Sequence, residues 1–186
     1  MLEARPMTPA GRRIVAAAEE LFYHRGITAV GVDLIAEYSG VTKRTLYNRF
    51  GSKDRLVAVY LAERDQRWRA LVLAAVDACD SPVEAVTAPF AALRTWSETN
   101  TRGCAFINAL AEIPDPAHPA YPVAAAQKRW LRDLFEELAT AAHRPDPATL
   151  AARLLVLHEG ALATQPLLPD TLSASTDLAR ALVRAD

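Results

Sequence analysis

The sequence predicts an all-α protein of about nine helices. Alanine and leucine dominate its 186 residues, glycine is scarce at 7, and this balance favours helices. No run of alternating β-branched residues marks a strand. Apolar residues recur instead three and four positions apart, which places them on one face of a helix. These observations predict three helices in an N-terminal unit, followed by a larger helical body.

The first predicted helix begins at Thr8-Pro9, an N-cap followed by proline at the first helical position. Its inward face follows the helical period through Ile14, Ala17, Ala18, Leu21 and Phe22. Gly26 is expected to end it. The preceding arm, residues 1–8, is interpreted as a loose terminus, with a DNA contact by Arg5 as the alternative.

Residues 32–50 are predicted to form two short helices joined by a tight turn. The first helix has an apolar face made of Val32, Ile35 and Ala36. Gly40 stands where a left-handed residue is needed past its end, and Val41 fills the turn. This arrangement is a helix-turn-helix.

The second short helix, residues 43–50, has the features of a helix that reads DNA. Thr42 is expected to cap it, and Leu46 and Phe50 point inward. Hydrogen-bond donors then occupy the outer face: Lys43, Arg44, Thr45, Tyr47, Asn48 and Arg49. A helix buried on one side and rich in donors on the other suits a DNA major groove. The alternative is an ordinary solvated helix face.

The charge distribution supports this interpretation, although the chain as a whole has a net charge of -1. Residues 1–55 hold 9 Lys and Arg against 6 Asp and Glu, whereas the remainder holds 12 against 16. The basic excess therefore lies in the segment that would face phosphates.

The stretch GVTKRTLYNRFGSKDRL resembles the signature of the TetR family of transcriptional regulators. The preceding stretch, RRIVAAAEELFYHRGITAVGVDLIAEYSG, resembles that family's first two helices. The resemblance covers roughly the first 60 residues. It implies a helix-turn-helix DNA-binding domain at 1–52 and a regulatory, ligand-binding and dimerisation domain at 53–186.

One position departs from the family pattern. Where most relatives have a Thr-Thr pair before the second helix, this chain has Val30-Gly31. Gly31 can still serve as an N-cap, but it offers no hydroxyl. The phosphate contact associated with that hydroxyl is therefore not expected here.

Six helices are predicted in the body, each bounded by a proline, a glycine or a cap. Ser52 caps the first of them, a long helix that would link the DNA-binding domain to the body. The predicted ranges are 53–79, 82–100, 104–113, 121–143, 148–164 and 172–184.

The expected DNA contacts lie on the reading helix and at the start of the next one. The N-terminal residues Lys43, Arg44 and Thr45, with their cap Thr42, are placed nearest the bases. Tyr47, Asn48 and Arg49 are better placed for phosphates. Lys53 joins them because its charge lies beside the free N–H groups of a helix N-terminus.

The resemblance implies an effector pocket among the middle helices. The candidate ligand contacts are Trp68, Trp96, Phe106, Asn108, Tyr121 and Trp130. Aromatic residues at helical spacing are also what an ordinary core contains. Asn108 lies in the apolar helix CAFINALAEI, so if buried it would need a ligand or a structural hydrogen bond.

The resemblance also implies that the last two helices pair with those of a second protomer. The expected interface residues are Leu150, Leu154, Leu157, His158, Ala161, Leu178 and Leu182. The alternative is that these helices close the core of the monomer. His158 is interpreted as an interface residue rather than a ligand or metal group.

The function expected from sequence is a ligand-responsive repressor that binds a palindromic operator as a homodimer and is released by a small-molecule effector. Two alternatives remain: a thiol-switched regulator using Cys104, and a helical small-molecule binder without DNA regulation. No catalytic motif, cofactor motif or metal-ligand spacing is present. Cys79 and Cys104 fit neither a zinc site nor a disulfide framework. With no membrane span or signal peptide in the pattern, a cytoplasmic protein without a membrane partner is expected.

Overall fold

The computed structural model describes residues 7–185, and Arg5 lies outside them. The all-α fold is confirmed, with ten helices and no strand among the described residues. The helices are α1 (Pro9–Arg25), α2 (Val32–Ser39), α3 (Lys43–Phe50), α4 (Lys53–Asp77), α5 (Pro82–Ala85), α6 (Ala88–Ser97), α7 (Ala105–Glu112), α8 (Ala120–Ala141), α9 (Pro147–Thr164) and α10 (Thr171–Ala185).

The tenth helix arises because the helix predicted over 82–100 is two helices. Pro89 occupies the start of α6 and has no N–H to donate. Its ring would also clash with the carbonyl group of Ala85 if the helix were continuous. The chain therefore leaves α5 at Ala85 and restarts at Ala88.

Helix ends elsewhere differ from the prediction by one or two residues. The α4 helix ends at Asp77, so Cys79 lies beyond it. The α8 helix ends at Ala141, and His143 adopts a left-handed conformation at φ 54°. None of the described helices has both the length and the apolar character needed to cross a bilayer.

The chain forms two compact units. Unit 1 comprises the chain up to Arg64 together with Ala105–Ala124. It therefore contains α1, α2, α3, the first half of α4, and α7. Its core includes the fully buried side chains of Ile14, Leu21, Ile35, Leu46, Leu56 and Leu61.

Unit 2 comprises Asp65–Cys104 and the chain from Ala125 onward. Its core joins α6, α8, α9 and α10 through Phe90, Leu131, Phe135, Leu150, Leu154 and Val183. The functional domains expected at 1–52 and 53–186 stay a prediction.

Candidate functional site

The turn between α2 and α3 is formed as the sequence predicts. Gly40 adopts φ 64°, ψ 36°, the left-handed conformation that stops α2. The Gly40 N–H donates to the Glu37 carbonyl at 3.1 Å, and the Val41 N–H donates to the Ala36 carbonyl at 3.0 Å. These bonds satisfy the last carbonyls of α2 and fix the direction in which the chain enters α3.

The α3 helix is held by its cap and by one apolar face. The Thr42 hydroxyl accepts a hydrogen bond from the Thr45 N–H at 3.1 Å. Leu46 is fully buried and Phe50 is 7% exposed, so these two side chains anchor the helix in unit 1. The opposite face is left to solvent.

Most of the predicted DNA contacts lie on that outer face. Thr45 and Arg49 are half-buried. Five of the predicted residues are exposed, namely Thr42, Lys43, Arg44, Tyr47 and Asn48. Arg44 makes no hydrogen bond or ion pair with any described residue. Its guanidinium is therefore available to an external acceptor.

Lys43 is paired with Asp33 of α2. The Lys43 Nζ lies 2.9 Å from one carboxylate oxygen and 3.0 Å from the other, and both side chains are largely exposed. The hydrogen bond to Asp33 and then its charge raise the pKa of Lys43. This pair joins the reading helix to the helix that supports it.

Lys53, at the start of α4, is engaged within unit 1. Its Nζ donates to the Ile27 carbonyl at 2.6 Å and lies 5.8 Å from the centre of the Phe22 ring. Partial burial lowers the pKa of Lys53. An ammonium group has three N–H donors, so two remain for a phosphate. The phosphate contact stays a prediction.

Glu112, which the sequence argument did not single out, also contacts this region. Its carboxylate accepts a hydrogen bond from the Thr28 N–H at 2.7 Å. The two residues are 84 positions apart in sequence. The sequence signals this contact only through a single carboxylate at the end of the apolar α7. That signal does not indicate which residue the carboxylate contacts.

The six predicted ligand contacts are divided between the two units. Trp68, Trp96 and Trp130 belong to unit 2, whereas Phe106, Asn108 and Tyr121 belong to unit 1. Asn108 is exposed, so the argument from burial does not apply to it. The Tyr121 hydroxyl donates to the Ile113 carbonyl at 2.9 Å. Ligand contact by these residues stays a prediction.

Two of the ligand candidates in unit 2, Trp68 and Trp96, belong to a cluster with buried polar groups that lack hydrogen-bond partners. The Trp68 ring centre lies 5.6 Å from that of Trp96 and 5.6 Å from that of His158. The Trp68 Nε1 and the His158 Nε2 are buried without a hydrogen-bond partner, and the His158 Nδ1 lies 3.6 Å from a carboxylate oxygen of Glu159. Such groups require an explanation in a folded protein, and a bound water or ligand is the usual one.

Trp130 is not part of this cluster and is half-buried against the core of unit 2. The Arg69 guanidinium stacks 4.6 Å from the centre of its ring. The two residues line a shallow cleft of about 380 Å³ together with Arg129, Asp133, Leu134 and Glu137. A second cleft, of about 390 Å³, is lined by none of the six predicted residues.

The predicted dimer face requires a correction. Leu150, Leu154, His158 and Ala161 lie inside the core of unit 2, each at most 4% exposed. A side chain already buried by its own chain has no surface left for a partner. Leu157 and Leu182 are half-buried, and of the predicted residues Leu178 alone is clearly exposed, at 51%.

Both cysteines are free. Cys104 is 8% exposed, and the Lys128 Nζ lies 3.4 Å from its sulfur. Cys79 is half-buried, and burial, followed by the charges of Glu84 and Asp80, raises the pKa of its thiol. No three His, Cys, Asp or Glu side chains within residues 7–185 are grouped so as to hold a metal ion.

Comparison with known proteins identifies the family. The model for "Bacterial regulatory proteins, tetR family" matches residues 14–60. The chain is 27% identical over 173 residues to the HTH-type transcriptional regulator YjdC of Escherichia coli (strain K12). The matched region covers 91% of this chain and 88% of that protein. The crystal structure of SCO4454, a TetR-family transcriptional regulator from Streptomyces coelicolor, is 32% identical, with a TM-score of 0.88 and 95% of each chain covered.

A transcriptional regulator from Rhodococcus sp. Rha1 shares the fold at 19% identity, with a TM-score of 0.79 over 96% of this chain and 97% of that one. The relatives are regulators and not enzymes, which confirms the function class expected from sequence. The helix-turn-helix of residues 32–50 lies within the matched family segment. The chain belongs to the TetR family of transcriptional regulators.

Proposed function

We propose that the protein is a ligand-responsive repressor that binds a palindromic operator as a homodimer. The α3 helix of each protomer enters the major groove, and a small-molecule effector bound in the body lowers operator affinity. We infer a cytoplasmic location, because that is where bacterial operator DNA is found. Family membership favours this function over a helical small-molecule binder without DNA regulation.

The observation that carries the proposal is the exposed face of α3. The Thr42 cap and the buried Leu46 hold the helix, while Arg44 points no donor at any described residue. A guanidinium can donate two hydrogen bonds to one guanine, which discriminates against other bases by about 1–3 kcal/mol. Arg44 is therefore assigned to base readout, with Thr45 beside it.

Four residues are assigned to the phosphate backbone: Tyr47, Asn48, Arg49 and Lys53. Phosphate contacts set the register of a protein on DNA and supply salt-dependent affinity, but they carry no sequence information directly. Lys43 can serve either role, because its ammonium is exposed and retains a donor beyond its pair with Asp33.

The dimer is supported by apolar residues that the monomer leaves exposed on α9 and α10. Val156 is 73% exposed on α9, and Leu178 is 51% exposed on α10. Gly160 and Ala163 lie four and seven residues beyond Val156, on the same exposed stripe, and their small size permits close helix approach. A two-fold dimer would present two reading helices to two half-sites about one turn of DNA apart.

The effector is assigned to the region of Trp68, Trp96 and His158. Unpartnered nitrogens within an aromatic cluster suit a molecule with an apolar body and a few hydrogen-bonding groups. Such a molecule lowers operator affinity only by the difference between its affinities for the DNA-binding and the released conformations.

The experiment that tests this proposal is selection from a random double-stranded DNA pool by the purified protein at ~150 mM salt, a concentration at which non-specific binding is weakened. Recovery of a palindrome with two equal half-sites is expected, because a two-fold dimer reads its two half-sites identically. Enrichment of no sequence, with weak and strongly salt-dependent binding alone, would overturn operator recognition. The recovered operator then serves as the probe in an effector screen.

A second candidate is a thiol-switched regulator, favoured by the Lys128 ammonium 3.4 Å from the Cys104 sulfur. Oxidants attack a cysteine in its thiolate form. This candidate expects operator affinity to change on treatment with peroxide and the change to be absent in Cys104→Ser. A peroxide response that persists in Cys104→Ser would remove Cys104 from this role.

A further inference from the structure

We propose that Glu112, at the end of α7, is a positioning residue for DNA recognition. Its carboxylate holds the α1–α2 loop, residues 26–31, and so fixes where the helix-turn-helix lies. The inference rests on the proposed operator binding and names a residue that positions the DNA-binding helices for it. All of its contacts lie within unit 1.

The Glu112 carboxylate is a multiple acceptor for this loop. One oxygen accepts from the Thr28 N–H at 2.7 Å, and the Ile27 backbone and the Thr28 hydroxyl also stabilise its ionised form. Partial burial works to raise the pKa of Glu112, but these interactions lower it overall, below its ordinary value. The carboxylate therefore binds the loop in its ionised form at neutral pH.

Lys53 also holds this loop, but it donates to a backbone carbonyl of the loop instead of accepting from an N–H group. Glu112 accepts from N–H groups of the loop, whereas the Lys53 Nζ donates to the Ile27 carbonyl at 2.6 Å. Ile27 and Val30 also bury their side chains, at 8% and 0% exposure. The loop is thus fixed by a carboxylate from α7, an ammonium from α4 and two apolar anchors.

Local structure alone would hold the start of α2 weakly. Gly31 is its N-cap, and it makes no side-chain hydrogen bond to the helix. The hydroxyl cap found in the family pattern is absent from this chain, so the position of the loop depends more on long-range contacts. Glu112 and Lys53 supply those contacts.

Gly26, the first residue of the loop, lies close to the Glu112 carboxylate. Gly26 adopts φ 89°, ψ 153°, a conformation open essentially to glycine. A Cβ at this position would lie 3.1 Å from both carboxylate oxygens of Glu112. The conformation therefore favours glycine where α7 meets the loop, and an added Cβ would crowd the Glu112 carboxylate.

The segment after Glu112 is held within the same unit. The Tyr121 hydroxyl donates to the Ile113 carbonyl at 2.9 Å, and the His118 Nε2 lies 3.4 Å from an Asp54 carboxylate oxygen. The α8 helix begins at Ala120 in this unit and continues without interruption to Ala141.

The test uses the full chain with Glu112→Ala, Glu112→Gln and the control Glu136→Ala, which removes an exposed carboxylate of α8. The first measurement is amide hydrogen exchange over residues 26–40, which needs no DNA. Loss of a charged acceptor should speed exchange at Thr28 about tenfold in Glu112→Ala. Glu112→Gln keeps an acceptor and should restore most of the protection, and Glu136→Ala should match the unmodified protein.

The second measurement compares affinity for the selected operator and for random DNA of equal length. Operator affinity should fall about tenfold in Glu112→Ala relative to Glu112→Gln, whereas random-DNA affinity should be the same in both. The two variants carry the same charge change, so the comparison isolates positioning from electrostatics.

The outcomes separate the two proposals. Unchanged exchange at residues 26–40 in Glu112→Ala would overturn the anchor whatever the DNA result. Changed exchange with equal operator affinity in Glu112→Ala and Glu112→Gln would overturn its role in DNA recognition. If the unmodified protein selects no operator, the proposed function fails and this recognition role fails with it, while the exchange result still decides whether Glu112 holds the loop.

Discussion

Lys43 of α3 and Asp33 of α2 form an ion pair across the helix-turn-helix, with 2.9 Å between the Lys43 Nζ and the nearer carboxylate oxygen. The pair places a negative charge beside the basic end of the reading helix. Operator phosphates would compete with that charge for Lys43. This relationship gives the first prediction.

Asp33→Asn should increase affinity for operator and random DNA alike, because it removes a negative charge from the DNA-facing surface and releases Lys43. The gain should be largest at low salt and shrink as salt screens the charges. Fluorescence anisotropy over a salt series measures it. The control is Glu37→Gln, an exposed carboxylate of α2. A loss of affinity in Asp33→Asn alone would mean that the pair is needed to orient Lys43.

Arg44→Ala should reduce discrimination between operator and random DNA by about 1–3 kcal/mol, because a bidentate contact to a base is lost. Arg94→Ala removes an exposed arginine of unit 2 and should leave both affinities unchanged. Competition binding with the two DNAs measures the ratio. An equal loss for both DNAs in Arg44→Ala would assign Arg44 to phosphate contact instead.

Gly26→Ala should destabilise the protein by about 3 kcal/mol, since φ 89° with ψ 153° is open essentially to glycine. Gly40→Ala is the matched comparison: φ is 64°, ψ is 36°, and nothing lies within 4 Å of a Cβ there, so about 1 kcal/mol is expected. Urea unfolding measures both values. Equal losses would show that Glu112 yields to the added methyl group and that the two conformations cost the same.

Lys128→Met should destabilise the protein at pH 7 by about 2 kcal/mol, because Glu159 loses the ammonium 2.5 Å from its carboxylate. That figure is below the range for fully buried pairs, since both side chains remain about a quarter exposed. Burial works to raise the pKa of Glu159, but the neighbouring His158 ring and the charge of Lys128 lower it overall.

The sign of the pH dependence follows from that lowered pKa. In the unmodified protein, the stability that Glu159 contributes is present above its ordinary pKa of 4.5 and is lost as pH falls through the lower folded value. The difference between the unmodified protein and Lys128→Met should therefore shrink below about pH 4.5. Urea unfolding at pH 7 and pH 4 measures it, and a difference independent of pH would contradict it. Arg132→Met, which breaks an exposed pair with Asp133, is the control.

Val156→Asp should convert the proposed dimer to monomers, because it places a charge on the exposed apolar stripe of α9. Ile107→Asp makes the same kind of change at a side chain that is 53% exposed on α7 and should leave the dimer intact. Sedimentation velocity over a concentration series measures the masses. A Val156→Asp protein that stays dimeric would move the interface away from this stripe.

The reading helix was predictable because its determinants are local. The Thr42 cap, the left-handed Gly40 and the buried Leu46 lie within seven residues of one another and act within one or two turns of helix. The split between α5 and α6 is also encoded locally, by Pro89. The prediction of a single helix over 82–100 did not allow for the break at this proline.

The inner face of α9 shows what periodicity leaves open. Leu150, Leu154 and Ala161 do repeat along one helix face, and that face is buried. A repeat predicts burial without saying whether the chain itself or a second protomer covers it. The role of Glu112 is harder to predict from sequence, because its contact with Thr28 spans 84 residues and depends on how helices pack.

The anchoring of the α1–α2 loop bears on how this regulator can be recombined with others. A DNA-binding module taken as one continuous segment would end in the first half of α4. Here a transplant of residues 7–64 would leave Glu112 and His118 behind, and the new host would have to provide a carboxylate at the same place. A transplant that also carries residues 105–124 would keep both contacts, so the transferable module is discontinuous in sequence.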